Sequence, residues 1–343
     1  MSGKRMRQYA NIPIFIPHLG CPNTCVFCNQ HTISGHVAFD PAAVRGEIEA
    51  ALSTLGECTH CEIAFFGGSF TGIDRALMIS LLDLAQEYVR GGRVHAIRLS
   101  TRPDYVNDEI LGILSQYAVQ TVELGLQSMN DRILAAARRG HDSETAERAC
   151  RMVKKYGFQL VGQMMIGLPG AECADECETA RRIAALGADA ARVYPMVVFR
   201  ETELCAMAQS GEYRILPQAE MLSRTADVLE ILDAAHIPVI RIGLCASENL
   251  SDPQAVFGGA NESALGELAE GEVFYRRMRA CLQGRMPNDE KKEIILGVPE
   301  GCVSKAVGQR RKNAERLCHE FGIGRLRFQE LSRLSGYQIE LLQ

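Results

Sequence analysis

Cys61-Glu-Ile-Ala-Phe-Phe-Gly67-Gly68-Ser69-Phe70 is a short apolar run stopped by two glycines, and the amphipathic stretch Ile73–Arg90 comes directly after it. A run of this length bounded by glycine reads as a strand, and the amphipathic stretch reads as a helix. The alternation recurs on both sides. Apolar runs lie at Ile12–Pro17, Ile63–Phe66, Val94–Ser100, Thr121–Leu126, Leu160–Ile166 and Ala191–Val198. Helical segments fall at Asn107–Tyr117, Asp142–Tyr156 and Glu172–Leu186, and Asp40-Pro41 marks a further helix start, with Asp as the cap. Gly157 and Gly187 stand where helix C-caps are expected. Repeated strand–helix units make a parallel sheet. The runs lack strict period-two alternation, as buried parallel strands do. Six units fit a partial (β/α)6 barrel or an open doubly wound sheet, and spacing alone does not choose.

Beyond the sixth unit come a long helix, Pro217–His236, and a strand, Ile237–Gly243. Cys245–Glu270 is rich in Gly, Ser, Asn and Asp and reads as loop. Val273–Gln283 reads as helix, and a last unit starts near Lys291. The expected organisation is a barrel over residues 1–245, a connecting loop and helix over 246–290, and a small basic α/β unit over 291–343.

The chain has 343 residues, 47% hydrophobic, with a net charge of −5. That supports a large core and excludes a generic polyanion binder. No stretch approaches the about 18 apolar residues of a membrane span. The basic start, Met1–Gln8, has no signal-peptide core behind it. A cytoplasmic protein with no membrane partner is expected. Thirteen cysteines without a secretory signal point to metal or redox chemistry for some of them rather than to disulfides.

Three of these cysteines are close together: Gly20-Cys21-Pro-Asn-Thr-Cys25-Val-Phe27-Cys28. Closed zinc sites and iron–sulfur cubes normally take four protein ligands. Three thiolates leave one iron open to bind something else. A zinc knuckle completed by His18 or His31, or a cluster of buried cysteines, is the plain alternative. Cys58-Thr-His-Cys61 and the i,i+4 pair Cys173/Cys177 lack further ligands nearby. The second pair reads as a buried helical contact, so no auxiliary cluster is expected.

Cys-x3-Cys-x2-Cys with an aromatic before the last cysteine resembles the signature of the radical S-adenosylmethionine (SAM) superfamily. The resemblance implies a [4Fe–4S] cluster on Cys21, Cys25 and Cys28, SAM chelating the open iron, and Phe27 against the adenine. It implies reductive cleavage of SAM to a 5′-deoxyadenosyl radical, and an electron donor such as flavodoxin or ferredoxin. Gly67, Gly68 and Ser69 resemble the turn that holds the methionine end. Motifs close all six strands on one side: Gly67-Gly68, Ser100-Thr-Arg-Pro-Asp-Tyr105, Glu123-Leu-Gly-Leu-Gln-Ser128, Gln163-Met-Met-Ile-Gly-Leu-Pro-Gly170 and Arg192-Val-Tyr-Pro195, with the triad after the first strand. Catalytic groups of β/α barrels sit at that end, so the barrel is favoured.

Thr101–Tyr105, Val122–Ser128, Arg139-Gly140-His141 and Val193-Tyr-Pro195 are similar to the catalytic subunit of Elongator, over roughly residues 10–245. By that match Gln127, Arg139 and Gln163 fall at SAM-contacting positions. Elongator has a glutamate where this chain has Ser100. Its acetyltransferase domain has no room here, so the acetyl step is not expected.

Residues 291–343 hold ten Lys/Arg and six Asp/Glu, a net of +4, leaving −9 for the rest. Their order reads strand, helix, Gly308-Gln-Arg-Arg311, helix, strand, strand. It resembles a KH module, which clamps single-stranded nucleic acid with a glycine loop. Arg311 stands where the second glycine of that loop belongs. Gly308, Arg310, Arg311 and Lys312 are the candidate RNA contacts, with tRNA as the expected partner. A small cap or lid over the barrel is the alternative, with a protein or metabolite as substrate.

Overall fold

The computed structural model describes residues 9–16, 19–21, 25–29, 39–55, 60–244, 252–262, 264–283 and 293–342. Its main sheet is built from β1 (Ala10–Ile16), β2 (Cys61–Gly67), β3 (Ala96–Thr101), β4 (Val119–Gln127), β5 (Gln159–Ile166) and β6 (Ala190–Pro195). A short β7 (Val197–Phe199) leaves this sheet, and β8 (Val239–Ile242) rejoins it. The order β1-β2-β3-β4-β5-β6-β8 is parallel throughout and never reverses. A doubly wound sheet must reverse to place helices on both faces. Right-handed crossovers in unbroken order put every helix on one face, and the sheet curls into a half-barrel with a concave side.

Local chemistry explains the helices. Asp74, Asn107 and Asp142 each cap one by accepting a backbone N–H two or three residues into it. Glu172 and Asp175 form a reciprocal capping box at the start of Cys173–Ala185. Gly157 and Gly187 take φ of +83° and +74° just past two helix ends, as expected. Asp40 accepts from the Ala42 N–H, but the helix it announces begins only at Val44.

The six strands appear as read, and β8 makes a seventh. Two readings change. The run Ala191–Val198 breaks after Pro195, because Met196 turns its N–H to Ile166 and its carbonyl to Ala260. This frees β7 to pair antiparallel with β9 (Val256–Gly259), inside a segment read as loop. The helix expected from Val273 starts at Leu265 and runs to Leu282. Leu265, Ala269 and Val273 recur every four residues on its buried face, and that spacing outweighs the local glycines. Residues 245–251 lie outside the described residues.

Helix Leu265–Leu282 belongs to two cores. Ala269 and Val273 pack on Ala226 and Leu229 of helix Gln218–Ala234. Phe274, Met278 and Leu282 pack into the terminal unit. That unit holds β10 (Ile294–Val298), helices Val303–Val307 and Lys312–Phe321, β11 (Leu326–Glu330) and β12 (Glu340–Leu341), in sheet order β11-β10-β12. No described helix is long and apolar enough to cross a membrane.

The concave side carries a buried ionic network. Glu123 on β4 is fully buried. Its Oε1 accepts from Arg98 at 2.8 Å and Arg192 at 2.9 Å, and its Oε2 accepts from Gln163 at 2.9 Å. Arg98 also bonds Glu62 at 2.7 Å, and Glu62 accepts from Tyr9. Two arginines thus share two carboxylates across β2, β3, β4 and β6. Without the Glu123 carboxylate, Arg192 is buried with no ion pair among the described residues, while Arg98 keeps Glu62. Glu123→Gln should therefore lower the urea midpoint, by the equivalent of about 3–5 kcal/mol. Glu87→Gln, which breaks only an exposed pair with Arg45, should leave the midpoint unchanged.

Candidate functional site

The strand ends of the half-barrel bring together most of the residues singled out by their motifs. The segment after β1 returns over the β2 turn. There Gly68 donates its N–H to Ile16 (2.7 Å) and Ser69 donates to Leu19 (2.9 Å). A Cβ on Gly68 would lie 2.0 Å from the Leu19 carbonyl oxygen, and one on Gly20 would lie 2.3 Å from that of Ser69. These glycines let the chain leading into Cys21 lie directly on the β2 turn. The hydroxyl of Ser69 is committed to the Thr101 hydroxyl (2.9 Å) and the Arg102 N–H (3.1 Å).

Cys25 is buried, and Cys21 and Cys28 are half-buried. Phe27 packs partly buried against the barrel core. The Val26 N–H bonds Ala137 and its carbonyl accepts from Leu204, so the cysteine loop is sewn to two other segments. Arg139 stands over Cys25, with Nη1 3.6 Å from Sγ and Nη2 2.7 Å from the Gly125 carbonyl. A Cβ on Gly125 would come within 2.6 Å of that Nη2 and 2.9 Å of Gln127 Nε2. The bare β4 end is what admits both side chains. The backbone is bent to match: Gln127 has φ of +68° at a register shift in β4, and Arg138 has φ of +51°. Non-glycine residues held there cluster at functional sites.

Gln163 lies level with Gly125 in the β4–β5 register and turns its amide to Glu123. It faces the same concave space from the next strand. Buried Gln127 Oε1, Arg139 Nε, Arg102 Nη1 and His141 Nε2 have no hydrogen-bond partner among the described residues. All four gather at this end of the barrel, beside the cysteines. Buried polar atoms are normally satisfied, so such a cluster is the mark of a polar ligand site.

Burial pushes the Cys21 thiol up from its ordinary range, while the Arg139 and Arg102 charges oppose that push. Burial and the same two cations push His141 down to about 4, so its imidazole is neutral at physiological pH. Among the described residues no three His, Cys, Asp or Glu side chains are drawn together as a metal site. A metal role for the triad rests on donor type, spacing and surroundings.

Other expectations meet plainer facts. Cys58 lies outside the described residues, and Cys61 is buried within β2. Cys173 and Cys177 stand 3.9 Å apart, and Cys173 donates to Asp227 at 3.2 Å. Reading the sequence missed Arg102, His141 and the Glu123 network as parts of the site. An Arg-Pro pair at a strand's end was the available signal for the first.

Comparison with known proteins agrees with this architecture. The radical SAM superfamily profile matches residues 15–183, and the radical SAM C-terminal domain matches residues 188–274. An uncharacterized protein of Methanocaldococcus jannaschii is 30% identical over 241 residues, 67% of this chain and 74% of its own length. The tRNA uridine(34) acetyltransferase of Methanocaldococcus infernus is 29% identical over 308 residues, 77% of this chain. The match spans 56% of that relative, so this chain covers about half of it. In fold, the chain is similar to the solved Elp3 of Methanocaldococcus infernus with its N-terminus deleted. The TM-score is 0.60 at 20% identity, over 85% of this chain and 71% of that one. The half-barrel, its cysteine loop and these matches together place the chain in the radical SAM superfamily, as an enzyme of a class that implies a [4Fe–4S] cluster and SAM.

Proposed function

We propose that this enzyme holds its cluster on Cys21, Cys25 and Cys28, binds SAM across the strand ends, and modifies RNA, with tRNA as the substrate. The residues fit the cofactors. Three thiols supply the donors, and one iron is left for SAM. The unsatisfied atoms of Gln127 and Arg139 offer an acceptor and a donor to a polar ligand. Gly67, Gly68, Gln163 and Phe27 are the further SAM contacts we assign, with Ser69, whose hydroxyl is taken by Thr101 and Arg102, holding the turn beneath them. When bound, the pair supplies reductive cleavage of SAM to a 5′-deoxyadenosyl radical. The chain's own part is to fix the ligand, keep His141 neutral and shape the concave space.

The RNA reading is carried by one observation in the terminal unit. Lys305, Arg316, Arg327 and Arg333 each pair with a glutamate. Arg310, Arg311, Lys312 and Arg325 are exposed and form no ion pair with any described residue, and the first three stand together in one turn. Arg310 and Arg311 are also both left-handed, with φ of +53° and +63°, a conformation that costs on the order of 1 kcal/mol or more each. Gly308, at φ of +78°, passes so close to Asn313 that a Cβ would come within 2.8 Å. Buried Asn313 fastens the turn by donating to Gly271 and Ala306. The turn borders a cavity of about 360 Å³ against helix Leu265–Leu282. Cations held unpaired at a helix N-terminus suit a phosphate backbone. The order of elements matches the KH-like reading, and relatives named as tRNA uridine(34) acetyltransferases favour tRNA.

Iron content and RNA affinity test the two halves of this reading. Anaerobically reconstituted protein should bind about four irons. The Cys21→Ala/Cys25→Ala/Cys28→Ala variant should bind none, and Cys173→Ala should bind as the parent does. Gly68→Val should lose iron too, because its side chain must displace the segment entering Cys21. Full iron in the triple variant would remove the cluster from this loop. For RNA, Arg310→Glu/Arg311→Glu/Lys312→Glu should weaken tRNA binding and flatten its log–log salt slope by roughly 2, for three lost single-strand phosphate contacts. Equal affinity across a salt series would move the substrate to a protein or metabolite, with the terminal unit as a lid.

A further inference from the structure

Arg102 is absent from the set of cofactor contacts above, yet it bonds Arg139, which belongs to that set, and Ser69, which holds the turn beneath it. It is 2% exposed, among the most deeply buried large side chains in the chain. Its backbone N–H donates to Ser69 Oγ (3.1 Å), directly after the glycine pair. Its Nη2 donates to the carbonyl of Arg139 (2.6 Å), whose own guanidinium lies 3.6 Å from Cys25 Sγ. Asp104 takes Nε and Nη2 at 2.9 Å each, as a fork. Nη1 remains buried with no partner among the described residues. Asp104 is the more exposed member, at 26% against 2% for Arg102. The carboxylate therefore opens toward water while the cation stays inside.

We propose that Arg102 is a positioning residue of the cluster pocket: a buried, permanent cation that joins the β2 turn to the Arg139 segment and stabilises negative charge on the cysteine triad. This rests on the assignment of the cluster to Cys21, Cys25 and Cys28. Arginine keeps its proton at any working pH. Arg102 is buried against the Arg139 segment, whose guanidinium lies 3.6 Å from Cys25 Sγ, so its charge acts on that pocket with little screening. One-electron reduction by a low-potential donor makes the cluster and its thiolates one charge more negative, with no bond made or broken. A fixed cation favours that more negative state and raises the reduction potential. Asp104 offsets part of the effect, so the two residues act with opposite signs.

That opposition supplies the test. Parent, Arg102→Met, Arg102→Lys and Asp104→Asn proteins are reconstituted anaerobically, assayed for iron and titrated with dithionite while the reduced-cluster EPR signal is monitored. The midpoint potential should move negative in Arg102→Met, positive in Asp104→Asn, and stay near the parent value in Arg102→Lys. A merely structural role would change iron content without moving the potential. Should Arg102→Met fail to hold a cluster, Asp104→Asn decides alone: a potential that does not rise at full iron occupancy overturns the proposal. A parent protein with no four-iron signal at all would overturn the cluster assignment itself, and this inference with it.

Discussion

The guanidinium of Arg139 spans 2.7 Å to the Gly125 carbonyl and 3.6 Å to the Cys25 sulfur, and the site is arranged around that bridge. It needs a bare β4 end, because any side chain at residue 125 would collide with it. It also needs the left-handed residue Arg138 behind it, which turns the end of helix Asp131–Ala136 back toward the barrel. Val26 bonds to Ala137 at the same place. One contact between a cation and a thiol thus ties a loop from the start of the chain to a helix more than a hundred residues later.

Beneath that layer the barrel uses charge where a closed barrel would use apolar filling. A half-barrel has no far wall of strands, yet Glu62, Arg98, Glu123 and Arg192 on its concave side are all buried. Glu62, Arg98, Glu123, Arg192 and Gln163 satisfy one another there, and Arg192 also lies over the Phe66 ring. These bonds tie β2 to β6 together and keep neighbouring strands in register, although Arg192 Nε, 2.8 Å from Glu123 Oε2, makes no hydrogen bond among the described residues. The network gives the strand ends a polar floor.

Much of this was legible in the residues, for identifiable reasons. The strands could be read because apolar runs between glycines have few other uses. The cysteine loop could be read because three thiols in eight residues are rarely accidental. The start of helix Leu265–Leu282 could not, because Gly266 and Gly271 look like loop residues. A Cβ on Gly271 would sit a tight 3.3 Å from the Lys305 carbonyl oxygen, a tertiary contact with no local signature. The same holds for Glu123 and Arg98. Their roles depend on partners on other strands, and a linear reading sees only a charged residue in a strand.

The terminal unit extends the logic of the barrel with the opposite sign. The barrel turns its strong charges inward and pairs them, Arg98 and Arg192 with Glu123 and Glu62. The terminal unit leaves three cations of one turn outside and unpaired, and strains two of them. Helix Leu265–Leu282 joins the two, with Val273 in one core and Phe274 in the next. A shared helix packed on both sides transmits position better than a flexible linker would. An anion held at the Gly308–Lys312 turn would therefore be held at a set distance from the strand ends. If RNA is the substrate, as proposed, that fixed distance would limit which nucleotide reaches the concave site.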